Sequence, residues 1–251
     1  MVKSLIKGLG ILVLGTSLYG ANSLDKVKIF TENYPPYNME VNGKLKGISV
    51  DILDAMLKHI DTKLTIDNVK LQPWARGYKI VLKKKNTMLF STTRTAQREK
   101  LFKWVGPIIS TKIGIIAPKA KHITIKNLKE LNNYKIGAVI NDIGEQLLEA
   151  NGVAKSHIDS VGGKNPVVLN FQKMGKGRID MFAYETNVAM YGAKSYQIDS
   201  NEFEVVYILK EGELYYAFNK NTDDKIIKAY QKALDTIKKD GTYTKILQKH
   251  K

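Results

Sequence analysis

The sequence contains no cysteine, and only four of its 251 residues are histidines. The absence of cysteine excludes disulfide bonds, thiolate catalysis, a cysteine-ligated metal and a lipid attached to cysteine. No histidine pair has metal-binding spacing, and no glycine motif of the phosphate-cradling kind is present. We therefore expect no metal, no other cofactor and no catalytic residues, and we interpret each histidine as a surface or internally satisfied residue. The four are His59, His122, His157 and His250.

Arginine is also scarce, because 36 of the 40 basic residues are lysines. Three of the four arginines, Arg76, Arg94 and Arg98, lie close together in the sequence near Trp74. A planar guanidinium can hold a carboxylate with two parallel hydrogen bonds, which an ammonium group cannot do. The cluster predicts a site for a carboxylate, although ordinary salt-bridge roles remain open for these arginines.

The formal net charge of +16 would suit a nucleic acid or an anionic surface as partner. The lysines are scattered along the whole chain, however, and no arginine-rich or aromatic-interleaved basic segment stands out. We interpret them as solvated faces of helices and expect no nucleic-acid partner.

The amino terminus has the pattern of a secretory signal. Lys3 and Lys7 precede an apolar run over residues 9–18, and small residues follow near position 20. We expect residues 1–21 to be removed and the mature protein to be a soluble periplasmic monomer; an uncleaved membrane anchor is the alternative. The remaining length suits one large domain or two small lobes.

Strand and helix patterns alternate along the mature chain, which predicts an α/β fold with largely parallel sheets. Amphipathic spacing is clearest in the last long helix, where Ile226, Tyr230, Leu234 and Ile237 fall on one face before Asp240 and a glycine end it. Strands are predicted at 27–30, 88–91, 113–117, 135–140, 179–184, 203–208 and 214–218, and helices at 50–60, 74–82, 144–150, 167–174 and 226–237.

Several segments together resemble the family 3 extracellular solute-binding proteins. Residues 31–37 read TENYPPY and residues 47–52 read GISVDI, which is similar to the opening of that family. Residues 91–98, STTRTAQR, resemble its Thr-x-x-Arg motif; residues 177–180, GRID, resemble its Gly-x-x-Asp strand; and residues 240–246 resemble its C-terminal signature. The resemblance covers the mature chain from about residue 27 to the end.

This resemblance implies the bilobal type II periplasmic-binding fold, in which two α/β lobes enclose a ligand cleft. Lobe one is then expected at residues 26–112 and 209–251, and lobe two at residues 113–208. The chain would cross between the lobes more than once.

The resemblance also implies roles for residues around the Thr-x-x-Arg motif. Arg98 occupies the position of the arginine that holds the ligand's α-carboxylate in a bidentate pair. Ser91 and Thr93 would offer hydrogen bonds to the ligand, with turn capping as the alternative. Arg94 stands where an apolar residue is usual, so two guanidiniums in the site would favour a more anionic ligand.

Tyr34 matches the family's aromatic residue that covers the ligand, and Glu32 lies near an acidic position that meets the ligand's cationic end. Packing of the turn is the alternative for Tyr34. Trp74 is a candidate for the second wall of an aromatic clamp around the ligand, although a tryptophan at a helix start is more often a core residue.

In the second lobe, Glu185 stands where the family has an acid, usually Asp, for the ligand's α-amino group. Asn141 and Asp142 begin a helix where the family often has a threonine that meets the carboxylate. An acid at that point repels an anion, so this half of the carboxylate site departs from the family pattern.

We therefore expect a substrate-binding protein of an ABC-type importer, not an enzyme, that closes around an amino acid or related small carboxylate. The membrane permease subunits of the importer would be its partners. A periplasmic lyase or dehydratase of the same fold and a ligand-sensing protein are the alternatives.

Overall fold

A computed structural model describes residues 23–250, so the predicted signal segment lies outside the described residues. This part of the chain forms ten strands and seven α-helices, joined by short 3-10 turns. The strands are β1 Lys28–Thr31, β2 Met39–Val41, β3 Lys44–Lys46, β4 Lys70–Leu71, β5 Thr87–Thr93, β6 Phe102–Pro118, β7 Ile136–Val139, β8 Ile158–Val161, β9 Met181–Glu185 and β10 Phe203–Asn219. The helices are α1 Ile48–Leu57, α2 Trp74–Lys83, α3 Ile143–Ala150, α4 Pro166–Gly175, α5 Thr186–Ser195, α6 Asp224–Lys239 and α7 Thr242–Lys249.

None of the helices between residues 23 and 250 has the length and apolarity that a bilayer crossing needs.

Eight strands form one sheet in the order β4-β1-β5-β10-β6-β9-β7-β8, and β2 pairs with β3 in a separate hairpin. The outer pairs, β4-β1-β5 and β9-β7-β8, are parallel, as the alternation of strands and helices predicts. The centre differs from the expectation of a largely parallel sheet. There β10 pairs antiparallel with both β5 and β6, and β6 pairs antiparallel with β9.

With the lobe bounds expected from the sequence, the two central strands, β6 and β10, would be shared by the lobes. The lobe-one part of β10 pairs with β5, and the lobe-two part of β6 pairs with β9. The predicted strands 203–208 and 214–218 are parts of one 17-residue strand, β10. Its pairing register with β6 shifts at three points along the strand. The expected lobe boundaries, after residues 112 and 208, fall inside these paired strands, and as boundaries they remain a prediction.

The core is built from the faces that apolar periodicity predicts. Ile226, Tyr230, Leu234 and Ile237 of α6 are almost fully buried, and α6 packs against α1 beside the lobe-one part of the sheet. Burial of each such side chain stabilises the fold by roughly 1.5–3 kcal/mol. A separate cluster of buried apolar residues fills part of lobe two.

Strand ends set the position of the site. Glu32 follows β1, Thr93 ends β5, Asn141 follows β7 and Glu185 ends β9. The carboxyl ends of such strands are where open α/β sheets bind ligands. Both lobes therefore contribute polar residues to their common boundary.

Candidate ligand-binding site between the lobes

Arg98 lies at the boundary between the lobes and is only 1% exposed. Its guanidinium donates from Nη1 to the carbonyl oxygen of Thr93, at 3.3 Å within lobe one. It also donates across the boundary, from Nε to Gln146 Oε1 at 2.9 Å and from Nη2 to the Asn141 carbonyl oxygen at 3.4 Å. The arginine predicted to hold the ligand thus links the two lobes.

The charge of Arg98 is held by neutral acceptors. Within residues 23–250, no carboxylate oxygen lies within 4.0 Å of its guanidinium. Aromatic rings pack against it instead, with the Trp74 and Tyr78 centroids 5.4 and 5.3 Å from its central carbon. Burial lowers the pKa of Arg98, opposed by the negative charge of Asp142. A buried cation without a direct counter-charge is well suited to bind an anionic group.

Trp74 is a buried residue that also reaches the lobe boundary, and its role as a wall of the ligand site stays a prediction. It is the first residue of α2, 3% exposed, and its ring packs on Tyr78 with 5.4 Å between centroids. Its indole Nε1 donates to the Asn141 carbonyl oxygen at 2.9 Å, across the lobe boundary. Asn141 has a positive φ of 60°, and its carbonyl accepts three hydrogen bonds, from Trp74, Arg98 and Gln146. This carbonyl is therefore a meeting point of side chains from both expected lobes.

Three tyrosines form an aromatic group beside this meeting point. Tyr34 is 3% exposed, and its ring lies 5.7 Å from the rings of Tyr37 and Tyr184. Burial raises the pKa of Tyr34 well above its ordinary value, so its hydroxyl stays protonated. Tyr37 and Tyr34 belong to one turn, whose end is fixed by hydrogen bonds between the backbones of Tyr34 and Asn38. The turn presents Tyr34 to lobe two.

Glu185 is fully buried and strongly hydrogen-bonded within the protein. Its Oε2 accepts from the N–H of Val188 at 2.7 Å, which caps α5. Its Oε1 accepts from the Tyr37 hydroxyl at 3.2 Å and from the Thr111 hydroxyl at 3.3 Å. Burial raises the pKa of Glu185, while these hydrogen bonds lower it. The family resemblance predicts that this acid contacts the ligand. In the structure, both of its carboxylate oxygens already accept hydrogen bonds from the protein itself.

Glu32 and Asp142 are two further buried acids, each 5% exposed. Glu32 belongs to lobe one, and Asp142 is the N-cap residue of α3 in lobe two. Burial raises the pKa of both carboxyl groups; the negative charge of Asp142 raises that of Glu32 further, whereas Arg98 lowers both. The boundary therefore contains more buried acids than buried bases.

Ser91 is close to the site but directs its hydroxyl into lobe one. Its φ is 59°, and its Oγ contacts Asn38 Oδ1 and lies 3.0 Å from Ser49 Oγ. Thr93, two residues later, contributes its carbonyl oxygen to Arg98. Both residues position neighbours of the site through contacts that are not turn caps, and ligand contact by either residue stays a prediction.

Arg94 is not brought together with Arg98. Its guanidinium is half-exposed and forms a bidentate pair with Glu99, at 2.8 Å from Nε and 2.6 Å from Nη2. It also lies 5.3 Å from the Tyr215 ring and 5.7 Å from the Trp104 ring. Arg76 is exposed. The geometry places one guanidinium, not two, at the lobe boundary.

A pocket of about 320 Å³ opens at the edge of this boundary. It is lined from lobe one by Asn33, Gln72 and Pro73, and from lobe two by Lys164 and Asn165, among others. Two of its lining residues, Asn33 and Pro73, are chain neighbours of predicted site residues, but Arg98 does not line it. We place the site at the buried arginine, because the charges and convergent hydrogen bonds are there.

A family model for the bacterial extracellular solute-binding proteins, family 3, matches residues 27–251. The chain belongs to this family. The resemblance seen in the sequence is thereby confirmed, and the fold is the bilobal type II periplasmic-binding fold that it implied.

Individual members of family 3 are similar at low identity. The chain is 24% identical over 234 residues to the probable amino-acid-binding protein YxeM of Bacillus subtilis, covering 86% of this chain and 79% of that protein. It is 23% identical to a probable histidine-binding protein of Campylobacter jejuni, covering 92% and 86%. Among solved structures, a histidine kinase sensor domain with similarity to periplasmic binding proteins superposes with a TM-score of 0.77 at 17% identity, covering 89% and 94%. That last likeness concerns the fold alone.

Two site residues of this family 3 chain were missed in the sequence. Gln146 binds Arg98 from α3, and Tyr37 binds Glu185 across the lobes. Tyr37 lies within the TENYPPY segment, so its aromatic ring was a visible signal. Gln146 gave a weaker one, since it lies one helical turn after Asp142 and faces the same way.

Proposed function

We propose that this protein is a periplasmic substrate-binding protein that captures an amino acid for an ABC-type importer. The observation that carries the proposal is the buried guanidinium of Arg98, which lies between the lobes with neutral acceptors and no direct carboxylate partner within the described chain. A ligand carboxylate would supply the missing negative charge.

Capture would proceed by closure of the lobes. Several hydrogen bonds connect the expected lobes, among them those of Arg98 to Gln146 and Asn141, Trp74 to Asn141, Tyr37 to Glu185, and Asn33 to Asn165 at 3.4 Å. A ligand that contacts both lobes stabilises the closed arrangement by its differential affinity for it. The permease subunits would recognise that closed form, and the protein would act on them as a monomer.

The chemistry of each side chain would determine its role in ligand binding. Arg98 would bind the α-carboxylate, and Tyr34 and Trp74 would enclose the ligand with apolar ring faces. Glu32 would meet a cationic group. Glu185 and Ser91 would position the neighbouring site residues through hydrogen bonds. Direct contact of either side chain with the ligand remains a prediction.

The expected preference for an anionic ligand loses its support. It depended on a second guanidinium in the site, and the side chain of Arg94 is engaged by Glu99 instead. A ligand role for Arg94 stays a prediction without geometric support. The names of the Bacillus and Campylobacter relatives, an amino-acid-binding and a histidine-binding protein, support an amino acid as the ligand class.

The test is a calorimetric titration of the purified protein with each common amino acid, combined with analysis of the recovered ligand. We expect a specific amino acid to bind and to be recovered unchanged. Arg98→Lys keeps the charge but loses the planar fork, so it should weaken binding by at least about tenfold. Arg76→Lys, an exposed arginine, is the matched control and should bind normally.

Binding of no amino acid would refute the proposal. Consumption of the bound compound would favour the lyase alternative instead. Arg98→Lys must also retain cooperative unfolding, so that lost binding is not confused with lost folding.

A further inference from the structure

Arg94 stands where an apolar residue is usual in the family, and two aromatic rings of lobe one pack against its side chain. The ring centroids of Tyr215 and Trp104 lie 5.3 and 5.7 Å from its central guanidinium carbon. The two rings meet edge to face, with 5.9 Å between their centroids. A guanidinium stacks on aromatic faces and offers a planar fork of donors, which a lysine ammonium does not. This pair of rings therefore suits an arginine, in a chain whose other basic residues are mostly lysines.

The strands are shaped to accept these rings. Trp104 belongs to β6 and Tyr215 to the neighbouring β10. The Tyr215 ring lies directly against Gly106 of β6, where any side chain would collide with it. A glycine at such a close approach allows the ring to lie flat on the strand. The surface under Arg94 is therefore a built part of lobe one.

The fork of Arg94 closes a short loop around Arg98. It pairs in a bidentate manner with Glu99, the residue that directly follows Arg98. The Glu99 carbonyl oxygen accepts from Trp104 Nε1 at 3.3 Å, and the backbone N–H of Arg94 donates to the Glu213 carbonyl oxygen of β10 at 3.4 Å. Both ends of this segment are thereby attached to the central strands.

The backbone of Arg98 is fixed between these two attachments. Its N–H donates to the Thr95 carbonyl oxygen at 3.0 Å, and its carbonyl oxygen accepts from the N–H of Leu101 at 3.0 Å. The buried guanidinium extends from this turn to acceptors in both lobes. Its direction therefore depends on where the turn holds the backbone.

We propose that Arg94 and Glu99 form a bracket that positions Arg98, so that Arg94 acts on the ligand through Arg98 and not by contact. This inference rests on the proposed function and deepens it. Isolated exposed ion pairs contribute little to stability. This pair is bidentate, stacked on two rings and joined to β10 by the Arg94 backbone, so it holds one geometry.

The first experiment measures amide hydrogen exchange by NMR in the ligand-free protein. Arg94→Lys keeps the positive charge but loses the planar fork. We expect the amides of Arg98 and Leu101 to exchange at least about fivefold faster in this variant, because the turn opens locally more often. The amide of Tyr230 in α6 should be unchanged. Arg178→Lys, at an exposed arginine of lobe two, is the matched control.

The second experiment measures affinity by calorimetry with two probes. They are the amino acid that the unaltered protein binds most tightly and its α-amide, in which a neutral carboxamide replaces the carboxylate. A bidentate contact to a carboxylate depends on the direction of the guanidinium. Arg94→Lys should therefore weaken binding of the amino acid about fivefold or more and binding of the amide much less. A change that only loosened lobe one would weaken both probes equally.

Glu99→Gln tests the bracket from its other end and leaves Arg94 on the rings. It should reproduce both effects. The double variant should bind no more weakly than the weaker single variant, because the two residues act as one unit. Thermal unfolding shows that each variant remains folded, and two independent variants keep the test open if one does not.

The outcomes separate this inference from the function on which it rests. Unchanged exchange at Arg98 in both single variants, or an equal loss of affinity for the two probes, would overturn the bracket and leave amino-acid capture standing. If the unaltered protein binds no amino acid while exchange at Arg98 is faster in Arg94→Lys, amino-acid capture fails and the positioning of Arg98 by the bracket stands.

Discussion

The hydroxyl group of Tyr37 donates a hydrogen bond to Glu185 Oε1 at 3.2 Å, from lobe one to lobe two. Asn187 Nδ2 contacts the same tyrosine hydroxyl at 3.2 Å. Burial and the neighbouring negative charge of Glu185 raise the pKa of Tyr37, so the hydroxyl remains a donor at any physiological pH. The pair thus connects the lobes without requiring a ligand.

Tyr37→Phe removes this connection and the hydrogen bond from Asn187, and it keeps the aromatic ring. We expect ligand affinity to fall about five- to tenfold, since a single hydrogen bond contributes about 1 kcal/mol or somewhat more. The melting temperature of the ligand-free protein should change only slightly, because Glu185 keeps Thr111 and Val188 as donors. Calorimetry and thermal unfolding measure the two effects. Tyr191→Phe, on the exposed side of α5, is the control.

Glu185→Ala should destabilise the fold itself. The change removes the cap of α5 and leaves the hydroxyls of Tyr37 and Thr111 without an acceptor. We expect the free energy of unfolding to fall by about 2–3 kcal/mol, measured by urea denaturation. If stability is unchanged while ligand binding is lost, Glu185 acts on the ligand directly and its structural role is minor.

Gln146→Leu tests a site residue that the sequence did not reveal. The change removes the acceptor of Arg98 Nε and the donor to the Asn141 carbonyl, while keeping a similar volume. The guanidinium should then be poorly oriented, and affinity should fall by about tenfold. Gln172→Leu on α4 provides a glutamine control outside the site. Equal binding by Gln146→Leu would show that Arg98 is held sufficiently by the two carbonyl groups.

The pH dependence of stability follows from Glu32. Burial, and then the charge of Asp142, raise the pKa of Glu32 above its ordinary value near 4.5, and Arg98 opposes them. The negative charge of Glu32 in turn raises the pKa of Tyr34 and of Tyr184, after burial as the largest cause. A carboxyl group with a raised pKa stabilises the folded state fully below its ordinary pKa, and that contribution is lost as pH rises through the raised value.

We therefore expect Glu32→Gln to gain stability relative to the unaltered protein as pH rises above about 4.5. The difference should grow by up to about 1.4 kcal/mol per pH unit while the carboxyl group ionises. Comparing the two proteins at each pH cancels acids whose pKa is lowered, such as Asp51 and Asp180. If the curves of melting temperature against pH are parallel for the two proteins, burial does not raise the pKa of Glu32 in the ligand-free protein.

The sequence predicts local structure well where a single helix face decides it. The apolar spacing of α6 predicts its buried face, and the Thr-x-x-Arg motif predicts the position of Arg98 at the boundary. Both depend on residues close together in the chain. Chain-local patterns also predict the start of α2 at Trp74.

The hydrogen-bond partners of individual side chains could not be predicted from the sequence in the same way. Arg94 binds Glu99 because the turn after β5 brings them together, and Ser91 faces Asn38 because its backbone has a positive φ. Neither conformation leaves a periodic signal in the sequence. The continuity of β10 was missed for a related reason, since its register shifts interrupt the alternation that identifies a strand.

The indole hydrogen bond from Trp74 to the Asn141 carbonyl gives the molecule a spectroscopic reporter of its own. The chain has two tryptophans, and the other, Trp104, lies beside Arg94 and donates its indole N–H to the Glu99 carbonyl oxygen within lobe one. Separation of the lobes would expose the Trp74 indole to water and shift its emission to longer wavelength, while Trp104 would be unaffected. A Trp104→Phe protein would therefore signal opening and closing through a single native fluorophore, with no attached dye.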